Sequence, residues 1–428
     1  MYTTWAESQA LRDKKIPMIR YNLAMLRFIL LFILIATNAI ANTKIDDTRP
    51  ISEASDFKDY LLNIRQQARN QGISASTLDQ VFSGLKPNPK VIKFDRSQAE
   101  FSQNFWRYLS TRVSPYRLKH GANLLEKHQD ILQHNYKKYG VPPHIIVAFW
   151  GLETNYGNYT GDLNLVRSLA TLGFDKRRSE FFTDQLLILL KLIDQDKIPF
   201  DAKGSWAGAM GNVQFMPSNV AAYGVDADND GQIDLWHNQA DIFASAANFL
   251  QKIGWKRGER WGREVSIPAD FDYQLANLST KKTVNDWQAL GVRSAQGEDL
   301  PNSNMQASLL LPMGYQGPAF LAYQNFRAIL KWNHSILYAL SVGHLSDRLS
   351  GTPALYAKPI DEPSLSRMDT KLIQTTLTNL GFDTGDPDGI SGPKTRSATR
   401  AFQRANQLPV DGYVGYQLLQ QLQAPSEH

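Results

Sequence analysis

The residue of this chain best placed for proton chemistry is Glu153. In AFWGLETNYG (148–157) an apolar run, Ile145 to Trp150, leads directly into it, and Gly157 then ends the element. A carboxylic acid held against apolar and aromatic walls is disfavoured as an anion, so its pKa rises and it keeps a proton for a leaving group. On a helix Trp150 stands three residues before Glu153 and Gly157 four after it, on one side. The alternative is a helix end that carries a solvated Glu.

Two further stretches bear on that choice. In GSWAGAMGNVQFMPSNVAAYG (204–224), Gly204, Gly208, Gly211 and Gly224 with small Ser205, Ala207 and Ala209 make a bend that lets backbone approach a ligand. Ser205, Gln214 and Tyr223 alternate there with Trp206, Phe215 and Met216, and aromatic surface with sparse hydrogen-bonding groups suits a sugar. The alternative is a Gly-rich turn before a buried apolar segment. DADNDGQIDLWH (226–237) has calcium-loop spacing: oxygens from Asp226, Asp228 and Asp230, Gly231 at the sharp turn, then the Gln232 carbonyl. The twelfth position calls for a bidentate acid and holds His237, so Asp234 is the candidate to compensate, directly or through water. An Asp/Asn/Gly turn without metal is the alternative. Other chemistries lack support. The chain has no Cys, which removes thiol catalysis and Cys-ligated metals. Its eight His residues show no close metal-ligand spacing, and no nucleophile elbow or phosphate-cradling Gly loop is visible.

These residues need a helical frame, and the apolar spacing supplies one. Phe57, Tyr60, Leu61, Ile64 and Ala68 recur at 3,4 spacing and stop at Gly72. A short helix is expected over 76–82, then a Pro-broken extended link over LKPNPKVIKFDRSQ. SQNFWRYLSTRVS and YRLKHGANLLEKHQDILQHNYKKYG read as helices, and Pro142-Pro143 opens the helix of Glu153. RSEFFTDQLLILLKLIDQD, ADIFASAANFLQKIG and YQNFRAILKWNHSILYALSVGHLSDRL complete a mostly helical body. Residues 262–312 are more irregular, with strand-like pieces near Arg263–Ile267 and Ser308–Leu311. A Pro- and Ser-rich linker follows, then a compact unit with an internal echo: Asp388-Gly389-Ile390-Ser391-Gly392 and Asp411-Gly412-Tyr413-Val414-Gly415 share the pattern D-G-x-x-G before a helix.

The length of 428 residues allows two or three domains, and 43% hydrophobic with 20% charged residues is the composition of a globular protein. Segment 1–41, with five basic and two acidic residues, carries three of the five net positive charges. The remaining +2 makes no electrostatic case for nucleic acid. That segment reads as an export signal: Lys14, Lys15, Arg20 and Arg27 precede FILLFILIATNAIA, which ends in the small-x-small Ala39-Ile40-Ala41. The apolar run is short for a membrane span, an uncleaved anchor is the alternative, and Met18 and Met25 are candidate later starts.

AFWGLETNYG, KRRSEFF, GSWAGAMGNVQFMPS, DNDGQIDLW and KWNHSILYALSV resemble, in order and spacing, the B-type lytic murein transglycosylases, from about Phe57 to Leu349. LGFDTGDPDGISGPKTRSATRAFQRANQLPVDGYVG resembles the small helical peptidoglycan-binding module. The resemblance implies a mainly α fold: a lysozyme-like catalytic domain over 55–350, a linker over 351–366 and a three-helix wall-binding domain over 367–424. It implies cleavage between N-acetylmuramic acid and N-acetylglucosamine without water, the muramyl C6 hydroxyl closing a 1,6-anhydro ring. Glu153 matches the catalytic acid, which then serves as base; with the nucleophile on the substrate, a second carboxylate is not required.

By the same resemblance Ser205 and Gln214 line the cleft, and Tyr223, Phe249, Trp332 and Asn333 contact the strand. The family usually has Tyr-Asn where this chain has Trp332-Asn333, and often Tyr where it has Phe249; both changes lose a hydroxyl. Arg177 and Arg178 match a double Arg expected to face the lactyl or peptide carboxylates, unless they are solvated helix-start charges. The chemistry needs no cofactor. A structural Ca²⁺ on Asp226, Asp228, Asp230, Gln232 and Asp234 is the one metal in view. The expected partners are peptidoglycan strands and wall-building proteins. The expected product is a periplasmic monomer, soluble after signal cleavage and without a Cys-linked lipid. The rival readings are a hydrolytic muramidase and a non-catalytic wall-binding protein.

Overall fold

A computed structural model of the chain describes residues 54–96 and 103–423; the export segment expected over 1–41 lies outside them. Six helices lead toward Glu153: α1 (Ala54–Asn70), α2 (Ala75–Phe82), α3 (Pro89–Arg96), α4 (Phe105–Arg112), α5 (Pro115–Lys127) and α6 (Gln129–Tyr139). Ser74, Asn104 and Ser114 cap α2, α4 and α5 by accepting a backbone N–H. The link expected to be extended holds α3 instead. Pro89 sits at its start, where a missing N–H costs nothing, and Val91, Ile92 and Asp95 are buried. The long stretch from Tyr116 to Gly140 breaks at His128, which ends α5 and begins α6.

α7 (Pro143–Thr154) carries Glu153. Seven consecutive residues, Ile145 to Gly151, are buried, so this is the central helix, packed by its neighbours all round. β1 (Leu163–Asn164), α8 (Leu165–Phe174), α9 (Ser179–Asp194), β2 (Lys203–Gly204), α10 (Pro217–Tyr223) and α11 (Gln239–Lys252) follow. The short β1 and β2 pair antiparallel, Leu163 opposite Gly204.

The irregular region proves to be a second core. β3 (Gly262–Ser266), β4 (Lys282–Thr283), α12 (Val284–Ala289), β5 (Arg293–Ser294), β6 (Gln306–Leu310) and β7 (Ala319–Ala322) build a five-stranded sheet of order β4-β6-β7-β3-β5 with antiparallel pairings. Trp287, Val292, Leu309, Leu321 and Tyr323 close under it with no exposure. The strand-like pieces near 263–267 and 308–311 are β3 and β6; β7 went unread because all four of its residues are buried and do not alternate.

α13 (Gln324–Trp332) and α14 (Ile336–Leu349) come from one apolar stretch, broken at Asn333, whose Oδ1 accepts the Ser335 N–H at 3.0 Å. The terminal unit is α15 (Arg367–Asn379), α16 (Pro393–Ala405) and α17 (Tyr416–Gln423) around Ile373, Leu377, Phe402 and Leu418. Its echo is physical. Asp388 Oδ1 accepts from Gln374 Nε2 and the Ile390 N–H, while Gln374 Oε1 accepts the Gly389 N–H. Asp411 Oδ1, Gln403 and Gly412 repeat the pattern. The second turn also docks on the body: Asp411 Oδ2 accepts the Tyr315 N–H at 2.9 Å, and Arg400 donates to the Ala276 carbonyl at 3.2 Å. The linker is pinned as well, with Glu264 accepting the N–H groups of Tyr356 and Ala357 and Asn104 donating to the Glu362 carbonyl.

Candidate active site

Glu153 lies in the last turn of α7, half-buried. Two donors meet at its Oε1: the Trp332 indole N–H at 2.9 Å, and the Tyr338 hydroxyl in a short hydrogen bond. Trp332 ends α13 and Tyr338 lies in the first turn of α14, so the break between them turns both onto one carboxylate. Tyr338 is buried, and burial together with the adjoining Glu153 holds its pKa well above the usual tyrosine value. It therefore stays a proton donor. The helix C-terminus beside Glu153 disfavours an added negative charge, while two donors on one oxygen favour it.

The apolar wall is Phe149 rather than Trp150. The Phe149 ring lies 4.3 Å from Trp332 and 6.2 Å from Tyr338, centroid to centroid. Trp150, one residue on, is turned about 100° around the helix. Its N–H donates at 2.6 Å to Asn212, and its ring packs on Phe243 and His128. After Thr154 the chain makes three left-handed residues, Asn155, Tyr156 and Gly157, at φ 51°, 62° and 85°. They are held by the Tyr156 hydroxyl donating to the Arg117 carbonyl at 2.7 Å and by the Gly157 N–H donating to Thr154 Oγ1 at 3.0 Å.

From Trp332 an aromatic row runs outward. Phe249 lies 5.0 Å and Phe215 5.3 Å from Trp332, and Tyr223 stacks on Phe249 at 4.6 Å. Tyr223 and Trp332 are half-buried, whereas Phe249 and Phe215 are 5% and 1% exposed. Phe249 is thus a backing residue behind two accessible rings, not a contact surface, because it sits on the buried face of α11.

The Gly-rich bend is a tight hairpin. Ser205 Oγ accepts the Ala209 N–H at 3.0 Å, and Met210 and Phe215 exchange backbone hydrogen bonds. Gly211 takes φ 68° where Leu235 leaves no room for a Cβ. Gln214, at φ 49°, donates to the carbonyls of Thr160 and Gly211. Asn333 caps the turn into α14. Arg177 and Arg178 both pair with Asp95 of α3, itself 5% exposed, and hold α3 to the start of α9, while more than half of the Arg177 side chain stays exposed.

In the Asp loop, one carboxylate oxygen each from Asp226, Asp228 and Asp230 lie within 4.8 Å of one another. That cradle fits a hard cation. Asp234 is engaged elsewhere, its Oδ1 accepting the N–H groups of Trp236 and His237. The Gln232 N–H donates to Asp230 Oδ1 at 2.8 Å. His237 is exposed, its Nδ1 3.4 Å from Asp234.

Three functional residues escaped the sequence reading. Tyr338 looked like core, since its apolar neighbours give no sign of a bonded acid. Asp241, fully buried, accepts the N–H groups of Ala227 and Asp234 and so fastens both ends of the Asp loop. Asn212, 3% exposed, accepts from Trp150 Nε1, donates to the carbonyls of Leu235 and Trp236, and through its own carbonyl receives the Thr154 hydroxyl. It joins the acid's helix, the hairpin and the end of the Asp loop; only its place within GAMGNVQFM could have marked it.

The chain matches the family model described as Transglycosylase SLT domain over residues 56–347 and a peptidoglycan binding domain model over 366–422. It is 31% identical over 313 residues to the Membrane-bound lytic murein transglycosylase B of Escherichia coli, covering 69% of this chain and 82% of that protein. Among solved structures it is similar to SltB3 from Pseudomonas aeruginosa in complex with NAG-anhNAM-pentapeptide. There the TM-score is 0.83 with 44% identity, over 86% of this chain and 99% of that one. It is also similar to the Escherichia coli lytic transglycosylase Slt35 in complex with calcium. That match has a TM-score of 0.59 and 31% identity, over 69% of this chain and 92% of that one.

Proposed function

The chain belongs to the transglycosylase SLT domain family as a lytic transglycosylase of the B type acting on peptidoglycan, and from that premise we propose that Glu153 is its one proton-transfer group. Its fold is the mainly α, lysozyme-like one with a peptidoglycan-binding domain appended. The observation that carries the assignment is the paired donation of Trp332 and Tyr338 to Glu153 Oε1, at the end of a helix buried on every side.

Protonated Glu153 gives its proton to the oxygen linking N-acetylmuramic acid to N-acetylglucosamine, and the bond from C1 to that oxygen breaks. The carboxylate left behind faces the positive charge growing on the ring and lowers its energy. It then takes the proton of the muramyl C6 hydroxyl as that oxygen bonds C1. The proton count closes, Glu153 is regenerated and no water is consumed. Trp332 and Tyr338 keep the carboxylate oriented through both transfers. Trp332 and Tyr223 offer ring faces to the sugars, with Ser205 and Gln214 on the hairpin beside them. Mass spectrometry of digested sacculi tests the reaction: 1,6-anhydromuramyl ends are expected, and reducing muramic acid ends would establish the hydrolytic alternative.

The Asp226–Asp228–Asp230 cradle is proposed to hold a structural Ca²⁺, supported by its oxygen donor set and by the calcium complex of Slt35. A calcium ion supplies charge neutralisation to the loop, and the residues named above fasten that loop to the body. Saturation to about a hundred times Kd is expected to add ~2.7 kcal/mol of stability, read as a melting temperature that EDTA lowers and an Asp230→Asn chain does not show. Among the described residues no helix is long and apolar enough to cross a membrane. Export to the periplasm through segment 1–41 is proposed from its charge and apolar pattern; N-terminal sequencing of the cell-envelope form, beginning after Ala41, tests it.

A further inference from the structure

The terminal unit contains one device twice, and one copy is seen gripping peptide. Arg367, Thr370, Lys371 and Gln374 of α15 recur in α16 as Arg396, Thr399, Arg400 and Gln403, at the same spacing. Thr370 and Thr399 each donate to the carbonyl four residues back. Each glutamine then holds its D-G-x-x-G turn in the same way, donating to the Asp Oδ1 and accepting the Gly N–H. Gly389 and Gly412 take φ 77° and 71°, and a Cβ on either would strike the helix behind it.

The second copy shows what the device grips. Asp411 Oδ2 accepts the Tyr315 N–H at 2.9 Å, and the Tyr413 side chain leaves Gly314 no room for a Cβ. Arg400 donates to the Ala276 carbonyl at 3.2 Å. The ligand is thus a backbone N–H following a small residue, with a carbonyl oxygen for the cation. In the first copy Asp388, Ile390 and Lys371 stand in the places of Asp411, Tyr413 and Arg400, and all three are exposed. Asp388 Oδ1 is taken by Gln374 and the Ile390 N–H, while among the described residues neither its Oδ2 nor Lys371 has a partner. Arg367, Lys371 and Arg396 all meet this turn, so it favours a carboxylate.

We propose that the first turn is an open peptide clamp for an anionic peptide of small residues: Asp388 Oδ2 accepts a backbone N–H, and Lys371 holds a carbonyl or carboxylate. Peptide stems of the wall are of that class, and the wall fragment in the SltB3 complex carries a pentapeptide. That source rests on the function proposed above, and it makes the appended domain a reader of peptide rather than of sugar.

The test reads binding, not cleavage. The full chain carrying Glu153→Gln is pulled down with intact sacculi and with sacculi stripped of their peptides by an amidase. Adding Asp388→Asn keeps an Oδ1 for Gln374 and the Ile390 N–H and puts a donor in place of Oδ2, so binding to intact sacculi should fall about tenfold. Lys371→Glu, which leaves the turn's own hydrogen bonds intact, should fall as far. Asp386→Asn, the same change of charge two residues away on an exposed side chain, should bind as the parent does. Binding to stripped glycan should be equal in all four chains, and circular dichroism checks that each is folded. Parental binding by either Asp388→Asn or Lys371→Glu, an equal loss on stripped glycan, or an equal loss in Asp386→Asn would overturn the proposal. So would a parent that binds intact sacculi no better than stripped ones. The ends of the cleavage products decide the reaction separately and stand whichever way the clamp is decided.

Discussion

Glu153→Gln separates chemistry from architecture at the site. The amide keeps an oxygen where Oε1 stands, so Trp332 and Tyr338 retain an acceptor. What changes structurally is the strength of two hydrogen bonds, from charge-assisted at about 1.5–3 kcal/mol to neutral at about 0.5–1.5. The loss is about 1–1.5 kcal/mol per bond and about 2–3 kcal/mol for the pair, offset in part because no charge remains half-buried, and the melting temperature should fall by a few degrees only. The chemical loss is far larger. Gln neither gives a proton to the leaving oxygen nor takes one from the attacking hydroxyl. Each role contributes about 10²–10⁴-fold, so a fall of about 10⁴ or more is expected, equivalent to roughly 5 kcal/mol or more of barrier. Release of anhydro-muropeptides from sacculi, followed with circular dichroism and sacculus pull-down on the same preparation, reads both quantities. A folded, wall-binding Glu153→Gln chain cleaving within about tenfold of the parent would refute the assignment.

Tyr338→Phe removes one donor from Glu153 without changing the packing volume; kcat should fall about 10–100-fold with KM little altered, and unchanged kcat would reduce Tyr338 to a core residue. Asn212→Ala strands the Trp150 N–H and the Trp236 carbonyl, while the Leu235 carbonyl keeps the backbone N–H of residue 212, so denaturant unfolding should show a loss on the order of 3 kcal/mol. On α14 two groups oppose each other in pH. Burial lowers the His344 pKa to about 4, so its contribution is full above pH 6.5 and is lost as pH falls toward 4. Burial raises Asp347 to about 6 despite Arg260, so its contribution is full below pH 3.8 and is lost as pH rises through 6. Each amounts to about 3 kcal/mol and they nearly cancel between pH 4 and 6.5. Asp347→Asn should therefore lose about 3 kcal/mol more than the parent on acidification from 6.5 to 4, and parallel stability curves would contradict the opposition.

The helices and the place of Glu153 at the end of one were legible because both follow from local pattern: 3,4 apolar spacing, capping residues and a polar group closing an apolar run. The sheet was harder, since β7 is buried on both faces and shows no alternation, while β4 and β5 are two residues each. The pairing of Arg177 and Arg178 with Asp95 was not legible, because Asp95 lies more than eighty residues earlier, inside a segment that its prolines made look extended. Phe249 reads the same in sequence whether it faces a ligand or backs the residues that do. The linker looked loose by composition, yet Glu264 and Asn104, both remote in sequence, supply its hydrogen bonds.

Trp332, at a position where the resemblance led one to expect Tyr, takes on meaning from this geometry. Read alone, it loses a hydroxyl and keeps a stacking face. In the fold the indole N–H itself reaches Glu153, so the donor is supplied by the ring rather than by a phenol. The second donor comes from Tyr338 only because the chain breaks between Trp332 and Ile336; an unbroken helix would set these two residues, six apart in sequence, about 120° apart around the axis and two turns distant along it, unable to share an acceptor. Asn333 is what makes the break, through its bond to the Ser335 N–H. A residue expected to touch substrate thus also holds the turn that aims both donors. The same holds across the site: Asn212 ties Trp150 and Thr154 of the acid's helix to Leu235 and Trp236 at the end of the Asp loop. The order of that loop and the position of Glu153 are therefore parts of one hydrogen-bonded network, and a change that loosens either end is felt at the carboxylate.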